Sequence, residues 1–409
     1  MEEFDAERIR RFRLRAHHLD GAGKKEDLLR FAGACGLQNT PPGAWETAAR
    51  NRVPGISREE LLEILCREKA LLETWSIRGL PLVFPEAESS VFLSALIPKG
   101  DEPWIYTSGI GLALDFLQMT FEELLKLQLQ VLPRLDGAVI AGKNNLDQTI
   151  AGWMRPLLPA GKRELWDRPS MYGSPDEQTV GGAVVSFLLR PCAFLGLVAF
   201  GGREGISPTF TSYRSVTGHT LEPDPGAAAE LARRYLRCYG PATADMFAGW
   251  LGCSGKQARR MFGLIKEELE PVTAEGKKRY ILSADRERFF ADGPLARELL
   301  LLGGHDPYLD QRDRSVLQPD KVLQRQIWRF VGNPGVIVRR GKARRNHEGG
   351  ARHVCGPHRG GGGYEPPFQG NFGGADRACG GGVPVLQVLP RGRGVDPGQH
   401  RGRGWKSDL

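Results

Sequence analysis

One stretch of the sequence, residues 226–282, constrains the fold most strongly, because residues that end or begin helices divide it at short intervals. Apolar residues recur at helical spacing over Ala227–Tyr239 and again over Lys256–Leu269. The dividing residues are, in order, Gly240-Pro241, Thr243, Gly252, Ser254 and Gly276. Val272–Leu282 has the alternation of a β-hairpin. Three helices followed by a hairpin predict a winged-helix unit over residues 219–292.

Residues 1–100 repeat this order of helices followed by a hairpin. Four segments have the spacing of helices: Glu7–Leu19, Glu26–Ala34, Ala44–Ala49 and Arg58–Glu68. Ser57 and Glu60 form a capping box at the start of the last of these helices. Leu71–Phe84, with Gly79 near its middle, has the pattern of a hairpin. The sequence therefore predicts a first winged-helix unit.

Residues 101–218 show the same pattern less clearly. Thr120 is a good N-cap, and three segments have helical spacing: Phe121–Leu132, Leu146–Leu158 and Gly181–Leu189. Asp167–Gln178 is polar and rich in proline and serine, which indicates a loop. We interpret this part of the chain as a degenerate second winged-helix unit.

The predicted fold class is mainly α with small β elements, in which tandem winged-helix units stand on a small β scaffold. The scaffold covers residues 293–343, where a helical stretch after Gly293 leads into Gly303-Gly304. Two segments have the pattern of strands, Gln326–Phe330 and Gly335–Val338. Residues 344–409 contain 18 Gly and nine Arg and lose all apolar periodicity, which predicts a disordered Gly/Arg-rich tail.

The tail starts where a returning strand is expected, so Val336–Val338 would be left as an exposed sheet edge. Two hypotheses account for this. The tail is either a genuine Gly/Arg-rich tether for nucleic acid or the product of a frameshift near Ala343, and we favour the frameshift.

Composition indicates a globular protein of a reducing cytoplasm. The formal net charge is +8, but nine Arg and one Lys against five acidic residues give residues 344–409 a charge of +5, which leaves +3 for residues 1–343. The seven cysteines include no CxxC pair, and the charged N-terminus does not match a signal peptide. Arg190-Pro191 interrupts the longest apolar run, 183–201, which excludes a membrane helix there.

The helix Lys256–Leu269 has a charge distribution that points to DNA. One face is apolar, and the opposite face carries Lys256, Gln257, Arg259 and Arg260 toward the N-terminal end. Acidic residues occupy the C-terminal end. This order opposes the helix dipole by about a few tenths of a kcal/mol per charge, so a polyanion near the N-terminal half would explain it. The hairpin tip adds three basic residues: Lys277, Lys278 and Arg279.

Four segments resemble one bacterial family, the AlkZ/YcaQ-like winged-helix proteins. They are GLQNTPP (36–42), TWSIRGLPLVFP (74–85), RYLRCYGPATADMFAGWLG (234–252) and LLGGHDPYLDQRD (301–313). The resemblance covers roughly residues 10–343. It implies three tandem winged helices on a small β-barrel scaffold. It also implies DNA glycosylase activity against bulky alkylated bases and interstrand crosslinks.

The same resemblance implies site residues. The catalytic motif of the family, Gln, a spacer, then Gln or Asp, falls on Gln38, Asn39 and Thr40, so a threonine hydroxyl replaces the second polar group. Gln38 either orients water or caps a turn. The hairpin turn of the family matches at Arg78-Gly79, which makes Arg78 a candidate for contact with DNA, and Leu82 stands where the family often has His. Asp306 and Arg312 are weaker candidates for contact with DNA.

Three functions follow from these patterns. The first is a DNA-binding protein of the repair-glycosylase type with weak or no catalysis; the second is a DNA glycosylase that excises alkylated or crosslinked bases; the third is a winged-helix transcriptional regulator. The expected partner is double-stranded DNA, bound by a monomer without cofactor or membrane. We predict no metal site, since the tail cluster has irregular spacing: His347, His353, Cys355 and His358.

Overall fold

The structure is a computed structural model that describes residues 2–172, 178–204, 207–291, 293–329, 333–344, 352–353 and 386–387. Residues 1–344 and residues 345–409 form two separate units. In the second unit, Arg352–His353 pairs antiparallel with Leu386–Gln387. The predicted disordered tail, 344–409, otherwise lies outside the described residues beyond Arg344.

The first unit is mainly helical, as the sequence predicts. Its α-helices are Ala6–Ala16, Leu28–Cys35, Ala44–Arg52, Arg58–Leu62, Ser89–Phe92, Gly111–Leu117, Phe121–Val131, Lys143–Met154, Ala160–Trp166, Val180–Phe194, Tyr213–Thr217, Ala227–Tyr239, Ala244–Leu251, Gly255–Gly263, Arg286–Phe290, Arg314–Leu317 and Lys321–Ile327. A π-helical turn, Glu63–Arg67, continues the helix Arg58–Leu62. Over the described residues, no helix is long and apolar enough to cross a membrane.

The predicted caps are confirmed. Ser57 and Glu60 bond reciprocally as a capping box, and the side chains of Thr120, Thr243 and Ser254 each accept a hydrogen bond from the first turn of their helices. Each cap satisfies a backbone N–H that the helix itself leaves unpaired. The caps therefore place these helix starts where the sequence predicts them.

Small three-stranded sheets lie between the helices. They are Leu37–Gln38, Pro81–Pro85 and Leu71–Trp75; Ile140–Ala141, Ser207–Thr211 and Ala199–Glu204; Glu3–Phe4, Leu269–Ala274 and Lys277–Leu282; and Leu299–Leu302, Val336–Arg339 and Lys342–Arg344, each in spatial order. All pairings are antiparallel except that of Glu3–Phe4 with Leu269–Ala274. The N-terminal strand thus covers the edge of the last predicted hairpin.

The part of the chain predicted as a scaffold differs in detail. Leu299–Leu302 is a strand and not the predicted helix, because its four leucines alternate between exposed and buried positions. Lys321–Ile327 is a helix, so the predicted strand Gln326–Phe330 is wrong in its described part. Val336–Arg339 lies between Leu299–Leu302 and Lys342–Arg344, so the predicted exposed edge is also wrong.

Buried apolar residues of the first unit form several clusters. The largest cluster runs from Cys35 to Leu282 and includes residues of all three predicted winged-helix units. Trp75 of one sheet packs on Phe200 of another, with ring centroids 4.8 Å apart. The winged-helix class of the segments and the boundaries near residues 100, 218 and 292 stay predictions.

Buried ion pairs connect the first helix and the scaffold loop. The guanidinium of Arg13 donates to both carboxylate oxygens of Asp313 at 2.7 and 2.9 Å, and Arg279 donates to the same carboxylate. Arg52 donates to both oxygens of Asp306 at 2.9 and 3.0 Å. All five side chains are nearly inaccessible to solvent. Removing one partner would leave an unpaired charge in the interior.

We expect Asp306→Asn to lower the free energy of unfolding by about 3 kcal/mol, because Arg52 would stay buried without its counter-charge. Denaturant unfolding followed by circular dichroism measures this change. Glu298→Gln is the control, because the Arg340–Glu298 pair is solvent-exposed and worth about 0–1 kcal/mol. Equal stability losses in the two variants would contradict a structural role for Asp306.

Candidate functional site

A narrow cleft lies where the first sheet, the helix Ala244–Leu251 and the scaffold loop meet. Gln38 ends the short strand Leu37–Gln38 and pairs in register with Leu82 of the hairpin. The cleft is lined by Cys35, Gly36, Gln38, Ile77, Arg78, Leu82, Tyr239, Trp250, His305, Pro307 and Asp310. Polar groups from three distant parts of the chain therefore converge on the predicted Gln38.

The carboxamide of Gln38 is held at both ends. Its Nε2 donates to the carbonyl of Thr40 at 3.2 Å and to Nδ1 of His305 at 3.1 Å. Its Oε1 accepts from Nη2 of Arg78 at 3.2 Å. One lone pair of Oε1 has no assigned donor in this set of contacts, so it can accept a hydrogen bond from a water in the cleft.

Arg78 connects the two sides of the cleft. Its Nη1 lies 2.5 Å from Oδ2 of Asp310 and donates to the carbonyl of Trp250 at 2.8 Å. The backbone of Arg78 is left-handed, with φ of +58°, a strained conformation for a non-glycine residue. The turn also packs tightly, since a Cβ on Gly252 would lie 3.0 Å from the Cα of Arg78. The predicted Arg78-Gly79 turn is thus fixed inside the cleft.

His305 is a neutral hydrogen-bonding group at this site. Because the amide nitrogen of Gln38 can only donate, Nδ1 of His305 accepts and the ring proton resides on Nε2. Burial lowers the pKa of His305 below its ordinary value, the charge of Asp310 partly opposes this, and that of Arg78 adds to it. The imidazole is therefore uncharged at neutral pH and holds Gln38 in one orientation.

The other two positions of the catalytic motif lie outside this hydrogen-bonded set. The side chain of Thr40 does not line the cleft, and only its carbonyl contacts Gln38. Asn39 is buried; its Nδ2 donates to Glu73 at 2.6 Å, and its Oδ1 accepts from the backbone of Gly43 at 2.7 Å. Burial raises the pKa of Glu73 to about 7, although the bond from Asn39 favours the carboxylate. Glu73 and Asn39 together fix the loop that carries Gln38.

The predicted DNA-reading helix is Gly255–Gly263, shorter than Lys256–Leu269, and most of its polar side chains have partners within the chain. Gln257 is fully buried and donates to the carbonyl of Leu96, so its predicted contact with DNA is wrong. Arg260 makes two 2.8 Å bonds to Glu102, whose carboxylate is almost inaccessible. Acidic residues of the chain itself therefore pair with Lys256 and Arg260, where the sequence predicted a polyanion. Contact of this helix with DNA stays a prediction.

Two bases of this helix remain on the surface. Lys256 pairs with Asp101, and both side chains are more than half exposed. Arg259 lies 4.0 Å from Asp245, again between exposed groups. Exposed pairs of this kind contribute about 0–1 kcal/mol, so either cation can exchange its partner for a phosphate.

The remaining residues predicted to contact DNA differ in how far they are buried. Lys277 and Lys278 are exposed at the hairpin tip, as predicted. Arg279 is 5% exposed and bonded to Asp313, so its predicted DNA contact is wrong. Asp306 is 3% exposed and bonded to Arg52, which makes its candidacy wrong for the same reason. Arg312 is exposed and packs across Gly249 beside the cleft.

His305 and Asp310 line the cleft but are not among the site residues that the sequence predicts. Both lie in the segment LLGGHDPYLDQRD that carries the family resemblance, where Asp306 and Arg312 were chosen instead. Neighbouring side chains of this loop face opposite ways: Asp306 toward Arg52, His305 toward Gln38. Which side chains of this segment enter the cleft depends on the loop geometry, which composition does not reveal.

Comparisons with known proteins identify one matching family, one curated relative and one similar solved structure. The profile of the family described as "DNA glycosylase AlkZ-like" matches residues 31–344. A curated protein of Streptomyces sahachiroi, named "Interstrand DNA cross-link repair glycosylase", is 28% identical over 302 residues, which are 70% of this chain and 72% of that protein. The solved structure of "Streptomyces sahachiroi DNA glycosylase AlkZ" has a similar fold, with a TM-score of 0.65, 22% identity, and 87% and 89% of the two chains covered.

The raised pKa of Glu73 predicts a pH-dependent stability that Glu73→Gln removes. Unfolded Glu ionises near 4.5 and folded Glu73 near 7, so the folded state binds more protons between these values. The free energy of unfolding therefore falls by about 1–3 kcal/mol as the pH rises from 5 to 8, and the Gln variant lacks this fall. Chemical unfolding at each pH measures the difference; parallel curves for the two proteins would contradict it.

Proposed function

Since the chain belongs to the AlkZ-like DNA glycosylase family, we propose that it hydrolyses the N-glycosidic bond of an alkylated or crosslinked base in duplex DNA. The observation that carries the proposal is the carboxamide of Gln38, which three hydrogen bonds hold at the mouth of a polar cleft. The name of the Streptomyces sahachiroi relative supports the substrate class. We infer that Gln38 orients the attacking water.

The chemistry follows from the groups in the cleft. Water held by Oε1 of Gln38 adds its oxygen to C1′ of the deoxyribose, the bond to the base breaks, and the released proton passes to solvent or to the departing base. The sugar carries positive charge in the transition state, as in other glycoside hydrolyses. The carboxylate of Asp310, held by Arg78, is the negative group available to stabilise it. An alkylated purine is itself cationic and leaves readily.

One observation favours a weaker second function, DNA binding with little or no catalysis. The side chain of Thr40, which stands where the family has Gln or Asp, does not line the cleft. A single carboxamide then acts without the second polar group of the motif, and Asp310 has to supply the negative charge. The rate of base release decides between the two functions.

For DNA contact we propose the exposed cations that border the cleft. Arg312 packs over Gly249 in the helix Ala244–Leu251, and Lys256 and Arg259 lie at the start of the next helix. Arg78 donates to the carbonyl of Trp250, and a Cβ on Gly252 would lie 3.0 Å from the Cα of Arg78. The turn at Arg78 therefore supports both Gln38 and the segment that leads to Lys256 and Arg259. Phosphates docked there would place a nucleotide near the cleft.

Gln38→Ala is expected to slow base release by about 100-fold or more under single-turnover conditions, because the water loses its orienting group. The assay incubates the full chain with duplex containing an N7-alkylated guanine and measures abasic sites as alkali-sensitive strand breaks. The dissociation constant for the same duplex should change by less than about twofold.

Gln130→Ala is the matched control, because Gln130 is exposed on the helix Phe121–Val131 and far along the chain from the motif. Activity that survives Gln38→Ala would remove Gln38 from the reaction. Salt-sensitive binding of unrelated duplexes without abasic sites in the wild-type protein would support the second function. A strong preference for one undamaged sequence would instead support the transcriptional regulator.

Arg312→Gln should weaken binding of undamaged duplex DNA and reduce the slope of log K against log salt by about one, as loss of a single phosphate contact does. Fluorescence anisotropy at several salt concentrations gives both quantities. Arg214→Gln serves as control, since Arg214 is similarly exposed and lies 4.0 Å from Asp136, remote from the cleft residues in sequence. If the slope of log K against log salt is unchanged in the Arg312 variant, the exposed cations beside the cleft are not the surface on which DNA docks.

A further inference from the structure

Beneath the cleft lies a buried group of soft donor atoms that the proposed reaction does not use. His17 follows the first helix, Cys35 ends the helix Leu28–Cys35, and Cys238 lies on the helix Ala227–Tyr239. Their side chains are 1%, 6% and 2% exposed. One donor atom from each lies within 4.8 Å of the others. Three segments that are distant in sequence thus place two thiols and an imidazole together.

The spacing of these atoms fits a tetrahedral ion. Zinc binds sulfur at about 2.3 Å and nitrogen at about 2.0 Å, which puts neighbouring donors about 3.5–3.8 Å apart. Sγ of Cys35 lies 3.8 Å from Nδ1 of His17 and 3.8 Å from the hydroxyl of Tyr239. Sγ of Cys238 lies within 4.8 Å of the other two donor atoms, so a shift of about 1 Å brings the third protein donor into the same range.

The two ring nitrogens of His17 have different surroundings. Nδ1 lies 3.8 Å from Sγ of Cys35, whereas Nε2 is buried and has no partner among the described residues. A neutral imidazole has one N–H and one lone pair. A cation bound through Nδ1 would use the lone pair that faces Cys35 and leave the N–H on Nε2, which fixes the tautomer.

Charge also favours a divalent cation here. Two thiolates and one zinc ion sum to zero, so the complex buries no net charge. The guanidinium of Arg52 is already paired with Asp306. The hydroxyl of Tyr239 donates to the carbonyl of Pro307 at 3.0 Å and, with Cys35, also lines the cleft. The cleft thus provides an entry path, and the fourth coordination position faces Tyr239 or water.

We propose that His17, Cys35 and Cys238 bind one zinc ion. The ion joins the first helix, the segment that leads from Cys35 to Gln38, and the helix Ala227–Tyr239. It fixes the floor of the cleft and takes no part in bond breaking. This site does not depend on glycosylase activity, because it rests only on the geometry and chemistry of the three donors.

Metal content tests the proposal. The untagged full chain is purified with reductant, saturated with zinc, desalted, and analysed by inductively coupled plasma mass spectrometry. We expect about one zinc ion per chain in the wild-type protein and less than about a tenth of that in Cys35→Ser and in Cys238→Ser. Cobalt in place of zinc should produce an intense thiolate-to-cobalt absorption band, which Cys238→Ser abolishes.

Control variants separate this site from other thiols. Cys66→Ser removes an exposed cysteine, and Cys355→Ser removes the cysteine of the irregularly spaced His/Cys cluster in the tail; both variants should keep the ion. Circular dichroism and thermal unfolding establish which variants fold, and His17→Gln provides a second test if a serine variant does not. Wild-type protein free of zinc after saturation, zinc lost only in Cys355→Ser, or a Cys35–Cys238 disulfide found in the zinc-treated reduced protein would each overturn the proposal.

Discussion

The ion pair between Arg52 and Asp306 is the contact on which the candidate site depends. It fixes one end of the loop that carries His305 and Asp310, and the Arg13–Asp313 pair fixes the other end. A buried pair stabilises little compared with apolar side chains of equal volume, because desolvation offsets most of the attraction. The pair instead fixes the position of the loop, because a guanidinium that makes two parallel hydrogen bonds accepts only one arrangement of the carboxylate. The loop therefore presents its polar side chains to Gln38 in one geometry.

The helix Gly255–Gly263 shows why local electrostatics can mislead. Lys256 lies in the first turn, where a base opposes the dipole, whereas Arg260 lies in the last turn of the shorter helix, where the dipole favours a base. The acidic partners of these two bases are Asp101 and Glu102, more than 150 positions earlier in the chain. No local pattern encodes such a contact. Exposure decides which bases of this helix stay candidates for contact with DNA. Lys256 and Arg259 keep weak, solvent-exposed pairs, whereas the Arg260–Glu102 pair is part of the fold.

Features of the fold that depend on neighbouring residues could be predicted from the sequence. Thr243 and Ser254 cap their helices because the capping bond spans only three residues. Leu299–Leu302 could not be assigned, because four leucines in a row show no polar alternation and only the partner strand Val336–Arg339 makes them a strand. Gln38 could be predicted because it lies in a segment that resembles the family. His305 and Asp310 could not, because Arg52 and Arg78, which are distant in sequence, position the loop that carries them.

The candidate site combines residues from three different parts of the chain. Gln38 and Arg78 come from the first predicted unit, Trp250 from the third, and His305 and Asp310 from the scaffold. Trp250 precedes Gly252, which touches the strained turn at Arg78, and the helix bearing Lys256 and Arg259 begins three residues further on. Arg78 connects the segment before that helix, through the carbonyl of Trp250, with the carboxamide of Gln38 and the carboxylate of Asp310. In the function that we propose, this guanidinium links the surface that docks the DNA backbone to the group that orients water.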